Sequence, residues 1–220
     1  MLVAGVDDAG RGPIIGPLVI AGVLLEEKEL DKLTALGVKD SKLLSPKRRE
    51  HLAVEIKRIA AKYCSERLSP EQIDKVVETG KKLHRLNRLE ADVMAKVINT
   101  LRPDVAYVDA SDVLADRFKA HIIEKLVFQV EIVSEHKADA KYPIVSAASI
   151  IAKVERDRAV QELVDKYGDM GSGYVTDPKT IAFLKRWLVV HGSYPRFVRK
   201  SWKPAKELRS AAKAKQTRLR

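Results

Sequence analysis

The chain has 220 residues, 45% of them apolar, and a formal charge of +11. Its length suits one substantial domain, or a domain with an appendage. No apolar run approaches the roughly 20 residues of a membrane-spanning helix. Cys64 is the only cysteine, which excludes an intramolecular disulfide and a thiolate metal cluster. The N-terminal apolar stretch is broken by Asp7, Asp8 and Arg11, making a poor signal peptide, so a cytoplasmic protein is expected. From Arg196 to Arg220 ten Lys or Arg face Glu207 alone, a net of +9, which leaves +2 for the first 195 residues. The sequence thus divides into a near-neutral body, 1–195, and a basic tail, 196–220, suited to contact with a polyanion.

In chain order, residues 2–7 read as a first strand and Leu18 to Leu25 as a second. The second is apolar on both faces, as in a strand covered on both sides. Ser45-Pro46 opens a helix whose Leu52, Ile56, Ile59 and Tyr63 share a face. Tyr63 to Leu68 reads as a short strand, and Ser69 with Gln72 forms a capping box for the next helix. Asn87 is read as the cap of a third helix, carried by Leu89, Val93, Val97 and Leu101 and ended by Pro103. Val105 to Val108 is a strand stopping at Asp109. A helix over 111–126, a strand over 127–133 and a polar turn from His136 to Pro143 follow. A long amphipathic helix runs from Ser146 to Tyr167, closed by Gly168. Gly171-Ser172-Gly173-Tyr174 is a loop, and Asp177-Pro178 caps a helix ending near Gly192. Strands followed by alternating strands and helices define an α/β domain. The first pair, joined by a short loop, is expected to be antiparallel within a mixed sheet.

Asp7 and Asp109 each end a predicted strand. Ligands of open α/β sheets bind beyond the carboxyl ends of strands. If these strands are neighbours, the two carboxylates repel unless a proton or cation intervenes. A hard divalent cation with oxygen ligands meets that need. Asp139, in His136-Lys137-Ala138-Asp139, is a third candidate. Gly10-Arg11-Gly12-Pro13-Ile14-Ile15-Gly16 partly mimics a dinucleotide-binding fingerprint, but Pro13, Pro17 and the β-branched run through Val23 forbid the helix that the fingerprint must open. The glycines instead permit close approach by a ligand backbone. Lys39, Lys42, Lys141, Lys153, Arg156 and Arg158 are candidate phosphate contacts, with Ser41 as a neutral donor. Tyr174 suits stacking on a sugar or base. The five histidines form no metal-spaced pair.

Taken together, these blocks resemble the ribonuclease HII family, the type 2 ribonucleases H, in its archaeal branch. The likeness is carried by Gly5-Val6-Asp7-Asp8-Ala9-Gly10-Arg11-Gly12, Val38-Lys39-Asp40-Ser41-Lys42 and Tyr107-Val108-Asp109. It continues through His136 to Asp139, Val145 to Lys153 and Gly171 to Tyr174. The resemblance implies a ribonuclease H-like fold, with a five-stranded mixed sheet flanked by helices and a helical C-terminal part. It implies an endonuclease that hydrolyses RNA in RNA–DNA hybrids and incises 5′ to ribonucleotides embedded in duplex DNA, leaving a 3′-hydroxyl and a 5′-phosphate. Asp7, Asp8, Asp109 and Asp139 fall on the family's metal-binding acids, which use Mg²⁺ or Mn²⁺ in two-metal catalysis. Gly10, Arg11 and Gly12 fall on its ribose 2′-hydroxyl reader, Ser41 and Lys42 on a phosphate-contacting segment, and Tyr174 on its junction tyrosine. Asp8 stands where the family has glutamate, one methylene longer, or about 1.5 Å of reach. Two rivals are a junction nuclease of related fold and, because of Asp8, a non-catalytic hybrid-binding protein. A monomer is expected. Gln216-Thr217-Arg218-Leu219 resembles the start of a sliding-clamp-binding box without its aromatic pair.

Overall fold

The computed structural model describes residues 1–38, 44–79 and 85–218, with side chains as far as Ala212. The elements are β1 (Leu2–Ala9), β2 (Leu18–Glu26), α1 (Leu30–Ala35), α2 (Pro46–Ile59), β3 (Lys62–Leu68), α3 (Pro70–Thr79) and α4 (Arg85–Leu101). They continue with β4 (Val105–Asp109), α5 (Ala115–Ile123), β5 (Glu131–Glu135), α6 (Ala138–Lys141), α7 (Pro143–Tyr167), α8 (Pro178–His191) and α9 (Lys203–Arg218). Contacts gather the chain into two compact units. The first comprises Met1–Ala9, Val19–Arg67 and Lys82–Glu155; the second comprises Gly10–Leu18, Leu68–Lys81 and Arg156–Arg220.

The first unit is built on a five-stranded sheet in the order β3-β2-β1-β4-β5. β1 pairs antiparallel with β2 and parallel with β4, and β4 pairs parallel with β5, giving the mixed sheet expected. Side chains along β1 alternate between faces. Val3 joins Val19, Leu25, Leu52, Ile56 and Ile151 in one core. Ala4 and Val6 join Ile20, Met94, Val97, Ile98 and Phe118 in the other. Each such aliphatic side chain contributes roughly 1.5–3 kcal/mol when fully buried. Ser45 caps α2 by accepting the Arg48 N–H at 3.2 Å, with Pro46 opening the helix.

Several elements depart from the sequence reading for tertiary reasons. Asn87 is not a cap: α4 already runs from Arg85, and Asn87 is buried and bonded to the Asp112 carboxylate. That carboxylate also accepts the Leu114 N–H and the Arg117 Nε–H, both at 3.0 Å. The turn so formed delays α5 to Ala115. The strand expected over 127–133 shifts to Glu131–Glu135, because the parallel ladder pairs Val105 with Glu131 and Asp109 with Glu135. The polar turn after His136 contains α6, and α7 begins at Pro143, a favoured first-turn position. The first half of α7 is buried through Val145, Ala147, Ala148, Ile150 and Ile151, so it is not amphipathic there.

The second unit has its own core of Ile14, Ile15, Met170, Phe183, Leu184, Leu188 and Phe197. The Ser69–Gln72 capping box closes in both directions at the start of α3, at 2.8 and 3.2 Å. Asp177 caps α8 through the Lys179 N–H, and Gly192 ends it at φ +70°. The basic stretch from Arg196 is not a detached tail at its start. Phe197, Val198 and Arg199 are buried, and Val198 bridges to Ile15.

A Cβ at Gly5 would stand 2.2 Å from the Ile144 carbonyl oxygen, in the first turn of α7. Gly5→Ala is therefore expected to lower stability by about 3 kcal/mol through overpacking against backbone. Urea unfolding checks this; an unchanged midpoint would refute such close packing of α7 on β1.

Candidate active site

The parallel register pairs Val6 of β1 with Val108 of β4, so Asp7 and Asp109 follow side by side at the carboxyl ends of adjacent strands. Asp7 is 4% exposed. Burial, then the charge of Asp8, then that of Asp109 raise its carboxyl well above the usual value of 3.8. A hydrogen bond from Ser149 on α7 and the Asp8 N–H, at 2.7 Å, oppose this only in part. Alternation along β1 sends Asp8 to the opposite face from Asp7. There the Ser111 hydroxyl donates to Asp8 Oδ1 at 3.0 Å.

Asp109 in turn accepts the Ala138 N–H at 2.8 Å, which ties the start of α6 to the end of β4. Asp139 is the next residue, 4% exposed, and its carbonyl accepts the Ser146 hydroxyl. Lys137 enters α6 in the left-handed region, φ 56°. The fold therefore brings Asp7, Asp8 and Asp109 into electrostatic contact, and bonds Asp109 to Ala138, the residue before Asp139. Among the described residues, no three His, Cys, Asp or Glu side chains stand at ready ligand spacing. The donor set still fits a hard divalent cation: every donor is a carboxylate oxygen, and Asp7, raised by burial and then by the charges of Asp8 and Asp109, stands where a cation would relieve their repulsion.

Gly10, Arg11, Gly12, Arg156 and Tyr174 lie in the second unit. Gly10 adopts φ +95°, and a Cβ there would meet the Pro17 carbonyl oxygen at 2.6 Å, so only glycine fits. A Cβ at Gly12 would lie 3.5 Å from the Tyr174 ring. Tyr174 is 40% exposed, with the Arg156 guanidinium 5.6 Å from its ring centroid. Arg156, expected to contact phosphate, is instead 4% exposed and donates to the Ser172 carbonyl at 3.1 Å. It supports the tyrosine loop from within. Lys141 is held by Glu135 at 2.5 Å. Ser41 and Lys42, with Lys39, lie outside the described residues. Sequence reasoning missed Ser111 and Ser149. Ser149 lies one helical turn after Ser146 in a buried helix, and a polar residue in so apolar a run is the signal that would have found it.

A five-stranded sheet in this order, with acids ending its adjacent parallel strands, defines the ribonuclease H-like class of nucleases. The sequence profile described as Ribonuclease HII matches residues 4–205. A Ribonuclease HII of Thermococcus sibiricus is 49% identical over 210 residues, covering 94% of this chain and 91% of that protein. The crystal structure of ribonuclease H2 from Pyrococcus horikoshii superposes with a TM-score of 0.89 at 44% identity, covering 97% of this chain and 99% of that one. The ribonuclease HII of Archaeoglobus fulgidus, solved in complex with PCNA, gives 0.83 at 45% identity, covering 94% and 96%. The chain belongs to the ribonuclease HII family. It is an endonuclease of the ribonuclease H type, acting on RNA in RNA–DNA hybrids.

The raised carboxyl of Asp7 has a definite sign in stability. Below about pH 3.8 Asp7 is protonated folded and unfolded; as pH rises, the unfolded chain ionises while the folded one keeps its proton. Stability falls through this window until the folded value is passed. Asp7→Asn should thus raise the Tm of the metal-free protein at neutral pH, with the gain vanishing below about pH 3.8, by calorimetry across pH.

Proposed function

We propose that Asp7, Asp109 and Asp139, assisted by Asp8, hold divalent cations, Mg²⁺ or Mn²⁺, and that the enzyme cuts the phosphodiester 5′ to a ribonucleotide. The products are a 3′-hydroxyl and a 5′-phosphate. The observation that carries this reading is the juxtaposition of Asp7 and Asp109 on neighbouring parallel strands, with the Asp7 carboxyl raised by burial and then by the charges of Asp8 and Asp109. Bound at these carboxylates, divalent cations supply Lewis-acid stabilisation of the phosphate and lower the pKa of a coordinated water. The chain's own groups keep the ligands oriented. Ser149 holds Asp7, Ser111 holds Asp8, and the Ala138 N–H holds Asp109.

In this reading Gly10, Arg11 and Gly12 recognise the ribose 2′-hydroxyl, the group that separates RNA from DNA. Tyr174 packs at the RNA–DNA junction, steadied by Arg156. Ser41 and Lys42 contact phosphate. The basic residues from Arg196 onward, other than the buried Arg199, add sequence-independent attraction for the backbone. The substrates are RNA–DNA hybrid and duplex DNA bearing embedded ribonucleotides. A sliding clamp is a second proposed partner, supported by the likeness of Gln216-Thr217-Arg218-Leu219 to the start of a clamp-binding box, and by the A. fulgidus relative solved with PCNA. Among the described residues no helix is long and apolar enough to cross a membrane. A cytoplasmic monomer is proposed.

The test is cleavage of a duplex with one embedded ribonucleotide, in Mg²⁺ and in Mn²⁺. EDTA should abolish cleavage; metal-free activity would end the proposal. Asp109→Asn should lower kcat at least about a hundredfold while leaving hybrid binding intact, as for loss of a group that acts in the transition state. Asp8→Glu should change turnover or the preference between Mg²⁺ and Mn²⁺. If neither moves, Asp8 is not part of the metal site.

A further inference from the structure

Arg199 is completely buried. Its Nη1 donates to the Arg11 carbonyl at 2.6 Å, and its Nη2 donates to the Gly10 carbonyl and, at 3.2 Å, to that of Gly16. A guanidinium is costly to strip of water, and an apolar side chain would fill the same volume without that cost. What an apolar side chain lacks is direction. The planar fork of arginine fixes several acceptors at once, and here the acceptors are backbone carbonyls on both sides of one loop.

The peptide bonds of this loop are trans. In a trans peptide the C=O and the following N–H point opposite ways. Drawing the Gly10 and Arg11 carbonyls toward Arg199 therefore turns the N–H groups of Arg11 and Gly12 away from it. Two successive donors face the side opposite the guanidinium, an arrangement suited to an oxygen acceptor. Gly12, at the end of this pair, is the residue whose Cβ position borders the Tyr174 ring.

Arg199 is itself seated from behind. Its N–H donates to the Ile14 carbonyl at 2.9 Å. The buried Asp74 carboxylate of α3 accepts the Lys200 N–H at 2.8 Å, the Ser201 N–H at 2.9 Å and the Ser201 hydroxyl at 2.6 Å. The segment carrying Arg199 is thus fixed on both sides of the residue. We infer that Arg199, seated by Asp74, is a positioning residue that aims the Arg11 and Gly12 amides at the ribose. This inference rests on the proposed ribose-reading role of Gly10 to Gly12.

The experiment compares affinities for a duplex with one embedded ribonucleotide and for the same duplex in all-DNA form, in EDTA, by fluorescence anisotropy. Amide ¹H–¹⁵N spectra of the free protein are recorded alongside. Arg199→Lys keeps the charge but loses the fork; it should lower the ribonucleotide preference about tenfold, the size of one disturbed hydrogen bond to a charged group. All-DNA affinity should stay constant, and the Arg11 and Gly12 amide signals should shift. Asp74→Asn, which keeps shape and one acceptor, should move both readouts in the same direction by less, and serves if Arg199→Lys does not fold. An unchanged preference in the folded variants overturns the inference, as does an equal fall on both duplexes. Gly12→Val separates the two levels: if it too leaves the preference unchanged, the ribose-reading role itself fails; if it alone removes the preference, only the part given to Arg199 fails.

Discussion

Two carboxylates at the ends of neighbouring parallel strands repel, and the sheet holds them together regardless. The register of β1 against β4 leaves Asp7 and Asp109 no way to part without breaking ladder hydrogen bonds. Burial makes the repulsion stronger, because little water is present to screen it. The neighbouring donors are arranged accordingly. A hydroxyl from α7 reaches Asp7, and a backbone N–H at the start of α6 reaches Asp109. The glycine at position 5, one turn of the pleat earlier on the same face, lets α7 approach closely enough to supply its hydroxyl. The core beneath the site and the charge at its surface are therefore set by the same close approach.

How much of this was readable from the chain depended on the range of each interaction. Strands ending in acids, the Ser45 and Asp177 caps and the Ser69–Gln72 box are local, and they stand where spacing puts them. Asn87 has strong capping preference, yet pairing with Asp112 across the fold takes it into the helix body. The apolar run 127–133 carries strand propensity throughout, but only the register with β4 decides that pairing begins at Glu131. Arg156 illustrates the same limit in charge. Within a run of Lys, Glu and Asp it reads as a candidate phosphate contact, and only the return of the chain at Ser172 shows it to be internal. Ser111, Asp74 and Arg199 were silent in the sequence because each acts on a partner more than 100 residues away.

Asp8 belongs to both accounts. It adjoins Asp7 in sequence and contributes to its electrostatic environment, while strand alternation directs its side chain to the other face. A glutamate at this position would extend the same carboxylate by one methylene; in this chain a shorter acid is engaged by Ser111. Substitution at position 8 consequently changes a tether as well as a charge.

The loop at Gly10 and the arginine that grips it stand 189 residues apart. The second unit is collected from three stretches, one near each end of the chain and one between. During synthesis the early stretch leaves the ribosome long before its partner exists. Closure of so long a loop is entropically demanding and late. The strands carrying the acids can pair beforehand, since β1 needs only β2 and β4. The order of assembly thus places the charged centre first and the Gly10 loop last, so that a truncated or nascent chain would carry the acids without the arginine that grips that loop.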